Sequence, residues 1–382
     1  MRDTAHVPGP LYKNERFACY EAGPCFFIAF SDADKSIRLF RSTGPGPGDR
    51  PCPTSAVEIT PETEASAAAP ETEPVLEGGL FLKVSSITFS LVGESDDIYL
   101  GVIPRELLTW ESDAPEIIAV DNGVLTAKGV GSATIRATYG DRQVQCSASC
   151  LAQTQDELRQ LDPAILSAPN RLLPEVDLTS PCTAFDDSAI LGDSITYFLW
   201  QYENTVHYLG DMTFVTRQGI SLHGLVDRFK NMYYEGVETN IEDIIAKVDA
   251  SRVYILLGCL DFQVPASAAQ LMEHWEKLCD LIAEKAPEKE IILISNIPGY
   301  TPGMQPTQYN LDVAQITPQL RQLARERGYG FLDLGYYIQD PLGRMPKIYS
   351  KDEFHMNDAG SLVWIRLLRY SAYLEAAGGS LT

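Results

Sequence analysis

From Ser188 onward the chain alternates short apolar runs with stretches of helical period. The apolar runs lie at 189–191, 212–215, 253–257, 291–294 and 331–334, each of strand length, and amphipathic stretches lie among them at 268–286 and 317–327, with a terminal one at 359–376. Strand and helix in alternation predict an α/β domain over 185–378, with a parallel sheet, right-handed crossovers and helices on both faces. In such a sheet ligands bind at the carboxyl ends of the strands, so polar residues just after each run are the ones to inspect.

Upstream the period is different. Between Leu80 and Leu151 short alternating segments such as SSITFSLV, IIAVDNGVLTA and GSATIRATYG are separated by turn residues, the pattern of an all-β antiparallel sandwich. Residues 152–184 connect the two patterns. Residues 53–79 are rich in Thr, Glu, Ala and Pro and contain no Lys or Arg, which predicts an extended, self-repelling linker. Residues 1–52 show no sustained period, carry scattered Gly and Pro, and read as a poorly ordered N-terminal segment.

Charge narrows the partners. Thirty basic against 52 acidic residues give a net charge of −22, which argues against nucleic acid and against an anionic membrane surface. No apolar run approaches the roughly 18 residues of a membrane span, and no secretory signal is visible in the first 40 residues. The eight cysteines form no CxxC pair and no zinc-like pattern with histidine, so no metal is expected. Cys259 and Cys279 lie in apolar segments and read as buried thiols, whereas Cys146, Cys150 and Cys182 are candidates for pairing in an oxidising compartment.

The chemistry concentrates at two places. Gly192-Asp193-Ser194 ends the first strand of the α/β region and opens a helix, where free N–H groups and the helix dipole stabilise negative charge beside a serine nucleophile. Asp352 and His355 lie three apart just before the last amphipathic stretch. At that spacing the carboxylate reaches Nδ1 of the imidazole and leaves Nε2 free to take a proton from Ser194. The other Asp-x-x-His, Asp3 and His6, follows no strand and reads as coincidence.

These residues resemble the conserved blocks of the SGNH (GDSL-type) hydrolases over about residues 185–375. Gly192-Asp193-Ser194 matches the nucleophile block, Gly219 the glycine block, and Asp352 with His355 the final block, with Tyr309-Asn310 and Phe331-Leu-Asp333 as further likenesses. The resemblance implies a flavodoxin-like sheet, ester hydrolysis through an acyl-serine intermediate with no metal or organic cofactor, and an oxyanion hole that includes the N–H groups of Ser194 and Gly219. One block departs: the family's oxyanion asparagine is replaced by Leu260 in Gly258-Cys-Leu-Asp261. Asn296, past the fourth strand, is a candidate substitute. In the upstream region Trp110-Glu-Ser, Ile118-Ala-Val-Asp and Gly131-Ser-Ala-Thr-Ile resemble a group 2 bacterial immunoglobulin-like domain, which implies a spacer or adhesive role and an extracellular or cell-surface setting.

The readings that follow are a serine-dependent carboxylic-ester hydrolase acting on a small or glycan-borne acyl ester, a surface protein that binds polysaccharide and whose hydrolase fold is weakly active or inactive, or an acyltransferase on the same serine. Other polar residues have plainer readings. His207 and His223 read as surface or packing residues, His274 with Glu273 and Glu276 as a solvated helix face, and Asp193 and Asp261 as loop-holding carboxylates. Tyr197, Trp200, Tyr233 and Tyr234 line a cleft or belong to the core, and Trp110 is a core aromatic.

Overall fold

The computed structural model describes residues 26–31, 36–41, 79–202, 205–263 and 268–380. Within the N-terminal segment, β1 (Phe26–Ser31) and β2 (Ser36–Arg41) pair as an antiparallel hairpin. The rest of the expected N-terminal segment, and the acidic linker up to residue 78, lie outside the described residues.

Residues 79–172 build two sheets from short strands. These are β3 (Ser86–Leu91), β4 (Ser95–Asp97), β5 (Thr109–Ser112), β6 (Ile118–Asp121), β7 (Val124–Ala127), β8 (Gly131–Tyr139) and β9 (Arg142–Ala152), followed by two short helices, α1 (Gln155–Arg159) and α2 (Pro163–Leu166), and by β10 (Arg171–Leu172). One sheet has the order β10-β3-β9-β8-β5 and the other β4-β7-β6. All pairs are antiparallel except β3 with β9. Alternation puts Ala133, Ile135 and Ala137 of β8 and Cys146, Ala148 and Cys150 of β9 into the interior. Cys146, Cys150 and Cys182 are free thiols, so the pairing considered for them is not formed. The first two are buried, and burial pushes the Cys146 thiol up to about 12. Trp110 is half-buried, with its ring edge-on to Tyr99 at 5.8 Å.

The α/β region runs β11 (Ser188–Gly192), α3 (Ser194–Trp200), α4 (Thr205–Leu209), β12 (Thr213–Thr216), α5 (Leu222–Val226), a small hairpin of β13 (Met232–Tyr234) and β14 (Val237–Thr239), α6 (Ile241–Lys247), β15 (Arg252–Leu256), α7 (Ala268–Lys285), β16 (Glu290–Ile294), α8 (Gln308–Arg327), β17 (Gly330–Leu332), α9 (Leu334–Tyr337) and α10 (Asp358–Ala376). The five main strands are all parallel, in the order β12-β11-β15-β16-β17. That is the flavodoxin-like order, with the reversal of strand order beside β11. Every residue of β11 is buried, which is why its sequence is a continuous apolar run rather than an alternation. Its side chains still divide between the faces. Ala189, Leu191, Val253, Ile255 and Leu293 pack under α5 to α8, around Trp275, Leu278 and Leu320. Ile190, Tyr254, Leu256 and Ile292 face α3 and α10, around Leu199, Trp364 and Leu368.

The helix read from Thr317 begins at Gln308, capped by the Thr307 hydroxyl on the N–H of Asn310. Proline truncated the sequence reading: Pro318 lies inside this helix, where it removes one backbone donor. Among the described residues no helix is long and apolar enough to cross a membrane.

The core on the α3/α10 face of the parallel sheet is continuous with that of the β-rich region. A polar knot also joins the two. Asp96 of β4 takes the Lys83 ammonium at 3.4 Å, the Arg171 guanidinium at 3.2 Å and the Tyr336 hydroxyl at 2.8 Å. The Lys83 ammonium lies 3.6 Å and the Arg171 guanidinium 4.3 Å from the Tyr336 ring centre. Burial pushes the Lys83 pKa down, and the Asp96 charge only partly opposes this. Asp96→Ala, which strands two cations in a half-dry site, should cost about 3–5 kcal/mol, whereas Tyr336→Phe should cost about 1.5–3 kcal/mol. Urea denaturation of the two variants beside the parent chain measures the difference, and equal losses would contradict the assigned role of Asp96.

Candidate active site

Ser194 is the first residue of α3 and half-buried. Gly192, the last residue of β11, stands where there is no room for a side chain. A Cβ there would lie 2.0 Å from Thr196 Oγ1 and 2.6 Å from the Leu256 carbonyl of the neighbouring strand. Asp193 caps the helix, its Oδ1 accepting from the Ile195 N–H at 2.9 Å. Its carboxyl is buried, and burial, with the Asp261 charge as a smaller cause, raises its pKa to about 7. With the Ile195 N–H taken by Asp193, the Ser194 N–H is the first-turn donor that stands at the serine itself and has no partner inside the helix.

Asp352 and His355 occupy a tight loop. An antiparallel bridge between Ser350 and Met356 closes it, and the Lys351 N–H donates to the His355 carbonyl at 2.8 Å. Asp352 Oδ1 accepts from the N–H groups of Phe354 and His355 at 2.9 and 2.8 Å. Burial would raise the Asp352 pKa, but these donors and the imidazole outweigh it and hold the carboxyl below its usual value. The His355 ring meets both partners at once: Nδ1 is 2.8 Å from Asp352 Oδ2, and Nε2 is 2.8 Å from Ser194 Oγ. Phe198, one turn along α3, fixes the ring edge-on at 4.9 Å. Asn357 secures the end of the loop, capping α10 through the N–H groups of Ala359 and Gly360 and donating to the carbonyls of Ile348 and Ser350. A cleft of about 670 Å³ is lined by Phe198 together with Tyr197, Gln201, Lys351 and Asn357; Ser194 and His355 are not in its lining.

Gly219 lies three residues beyond β12, whose last residue pairs with Gly192. It is exposed with a φ of +67°, a left-handed conformation in which glycine is favoured. Asp261 fastens the segment after it. This buried carboxylate accepts from the N–H groups of Leu222 and His223 at 2.7 and 2.8 Å and so ties the start of α5 to the loop after β15. Leu260, beside it, is half-buried and carries no donor at the family's asparagine position. Asn296 does not replace that donor: it is buried, and its amide N–H groups are taken by the Leu257 carbonyl at 2.8 Å and Cys259 Sγ at 3.2 Å. The asparagine ties the segment after β16 to the segment after β15 instead.

The remaining candidates separate clearly. His207 Nε2 lies 3.2 Å from the Leu178 carbonyl and is part of the packing there. Trp200 is exposed and lies edge-on at 5.7 Å to Tyr197, which lines the cleft. Tyr233 is exposed on the small hairpin, with the Arg217 guanidinium over its ring at 4.9 Å. His223 and His274, read singly as surface residues, come together on Asp227, a grouping that only the packing of α5 against α7 creates.

Because the folded state holds the Asp193 proton more tightly than the unfolded chain, this group withdraws stability as pH rises from about 4 to about 7, and the loss is complete above that window. Asp193→Asn keeps the capping acceptor and removes the titration. Its stability should therefore be flatter over that window, by of the order of 4 kcal/mol. Urea midpoints taken across the pH range for both chains check this, and parallel profiles would refute the assigned burial effect.

The sequence model of the GDSL-like Lipase/Acylhydrolase family matches residues 190–362. Several solved structures are similar over about half of the chain. A GDSL-like lipase from Bacteroides thetaiotaomicron is 14% identical, with 51% of this chain and 91% of that one covered and a TM-score of 0.41. A carbohydrate acetylesterase family member from Sinorhizobium meliloti is 16% identical, with 48% and 96% covered and a TM-score of 0.35. An acetyl xylan esterase is 16% identical, with 47% and 97% covered and a TM-score of 0.38. No curated protein matches the chain significantly. The strand-to-helix serine, the parallel sheet that presents it and the family match together identify residues 190–362 as a GDSL-like lipase/acylhydrolase (SGNH) domain, a hydrolase of the ester-cleaving kind.

Proposed function

We propose that the chain is a serine-dependent carboxylic-ester hydrolase with Ser194 as nucleophile, His355 as general base and Asp352 as its orienting carboxylate. The observation that carries this reading is the pair of 2.8 Å contacts that place one imidazole between Ser194 Oγ and Asp352 Oδ2. His355 takes the hydroxyl proton as Ser194 attacks the ester carbonyl, and the N–H groups of Ser194 and Gly219 receive the oxyanion. The proton then passes to the departing alcohol. Water, activated by the same imidazole, releases the acid and restores the serine. The cleft beside Phe198 takes the alcohol part, and the exposed ring of Trp200 suits the apolar face of a sugar, which favours a small acyl or acetyl group on a glycan.

In this reading residues 80–151 are a bacterial immunoglobulin-like spacer, 152–184 a connector and 185–378 the hydrolase, displayed at a cell surface behind the linker of 53–79. Leu260 favours a second reading, a surface protein that binds polysaccharide and has kept only weak hydrolysis. Losing one oxyanion donor costs about 10²–10³ in kcat, so the two readings differ in rate rather than in residues.

A fluorophosphonate probe and a short p-nitrophenyl ester test the assignment. The parent chain should label and turn over, and Ser194→Ala should lose the label and at least about 10⁴ in kcat; labelling that survives in Ser194→Ala would sink it. Leu260→Asn should raise kcat by up to about 10²-fold if the missing donor limits the rate. Acyl transfer to an added sugar in place of free acid would point instead to an acyltransferase on the same serine.

A further inference from the structure

His223, Asp227 and His274 form a cluster that the serine chemistry does not use. His223 and Asp227 are four residues apart and project from the same side of the α5 turn. His274 reaches them from α7, which is anchored by the buried Trp275 and Leu278. Asp227 Oδ2 lies 3.3 Å from His223 Nε2 and 3.5 Å from His274 Nε2, and the three groups offer ligand atoms within 4.8 Å of one another. Two ligands bonded to one tetrahedral zinc ion at about 2.0–2.1 Å stand about 3.3–3.4 Å apart, so both measured separations are close to edges of such a polyhedron. The other carboxylate oxygen is engaged, because Lys277 Nζ lies 2.6 Å from Asp227 Oδ1. This contact orients the carboxylate so that one oxygen faces the imidazoles, the outer-shell support that metal ligands ordinarily have.

We infer that His223, Asp227 and His274 bind a divalent transition-metal ion of the zinc class, bridging α5 and α7. Two imidazoles with one carboxylate oxygen form a borderline donor set that suits zinc, cobalt or nickel, whereas calcium and magnesium prefer oxygen throughout. Three protein ligands leave the fourth position to water. The net charge of −22 favours a cation and offsets the nearby Lys277 ammonium. The site is separate from Ser194 but connects to its surroundings. The His223 N–H is held by Asp261, and Ser221, the cap of α5, lies two residues after Gly219. A bound ion clamps that turn to α7.

The test uses the full, untagged chain stripped with chelator and titrated with Co²⁺ and then with Zn²⁺. One Co²⁺ should bind with visible d–d absorption, Zn²⁺ should displace it, and the zinc-loaded chain should melt at a higher temperature. His223→Gln alters an exposed side chain and should fold normally by circular dichroism; it and His274→Gln should each weaken binding about tenfold or more. Equal affinity in parent and variants, or no binding to the parent, overturns the site. X-ray absorption on the zinc-loaded parent is an independent check: a shell of nitrogen and oxygen supports the site, and sulfur scatterers assign the ion to cysteines and overturn it.

Discussion

Two buried carboxylates at the carboxyl edge of the parallel sheet hold the working surface in place. Asp193 ends the loop after β11 by capping α3, and Asp261 ends the loop after β15 by holding the first N–H groups of α5. Each satisfies helix donors that would otherwise be stranded against an apolar sheet. Together they set where Ser194 and the Gly219 turn stand relative to each other. Burial, and to a smaller degree the Asp261 charge, makes the ionised form of Asp193 costly, so the surface is defined in part by a group that is itself destabilised. Strain of this kind is expected beside reactive groups, where geometry takes precedence over stability.

The β-rich region is more than an attached module. Its core runs into that of the α3/α10 face, and the hydroxyls of Tyr337 and Tyr370 donate to the carbonyls of Lys83 and Leu82. Asp96 collects two cations and a third hydroxyl at the same seam. A partly dry cluster of this kind adds little to stability over apolar packing, but it admits few alternative dockings.

Features encoded locally could be read without a structure. The strand and helix around Ser194 are contiguous, and Asp352 and His355 share one loop, so each set has a linear signature. The parallel sheet was legible because buried strands are unbroken apolar runs. What was hidden depended on context. Pro318 concealed the first half of α8, since a proline inside a helix is disfavoured by propensity and tolerated here within a longer, packed element. Asn296 stands at the correct sheet edge for an oxyanion donor, but only the fold reveals that its amide is committed to Leu257 and Cys259. The grouping of His223, Asp227 and His274 spans two helices more than forty residues apart and has no linear signature.

The loop that carries His355 runs directly into α10, and α10 is also the element through which Tyr370 grips the β-rich region. His355 is therefore mounted on a shared beam rather than on a free loop. Fraying of the carboxyl-terminal helix would withdraw the imidazole and its carboxylate together while the serine stayed on its own turn. Mechanical load on the β-rich region would be felt at the imidazole first.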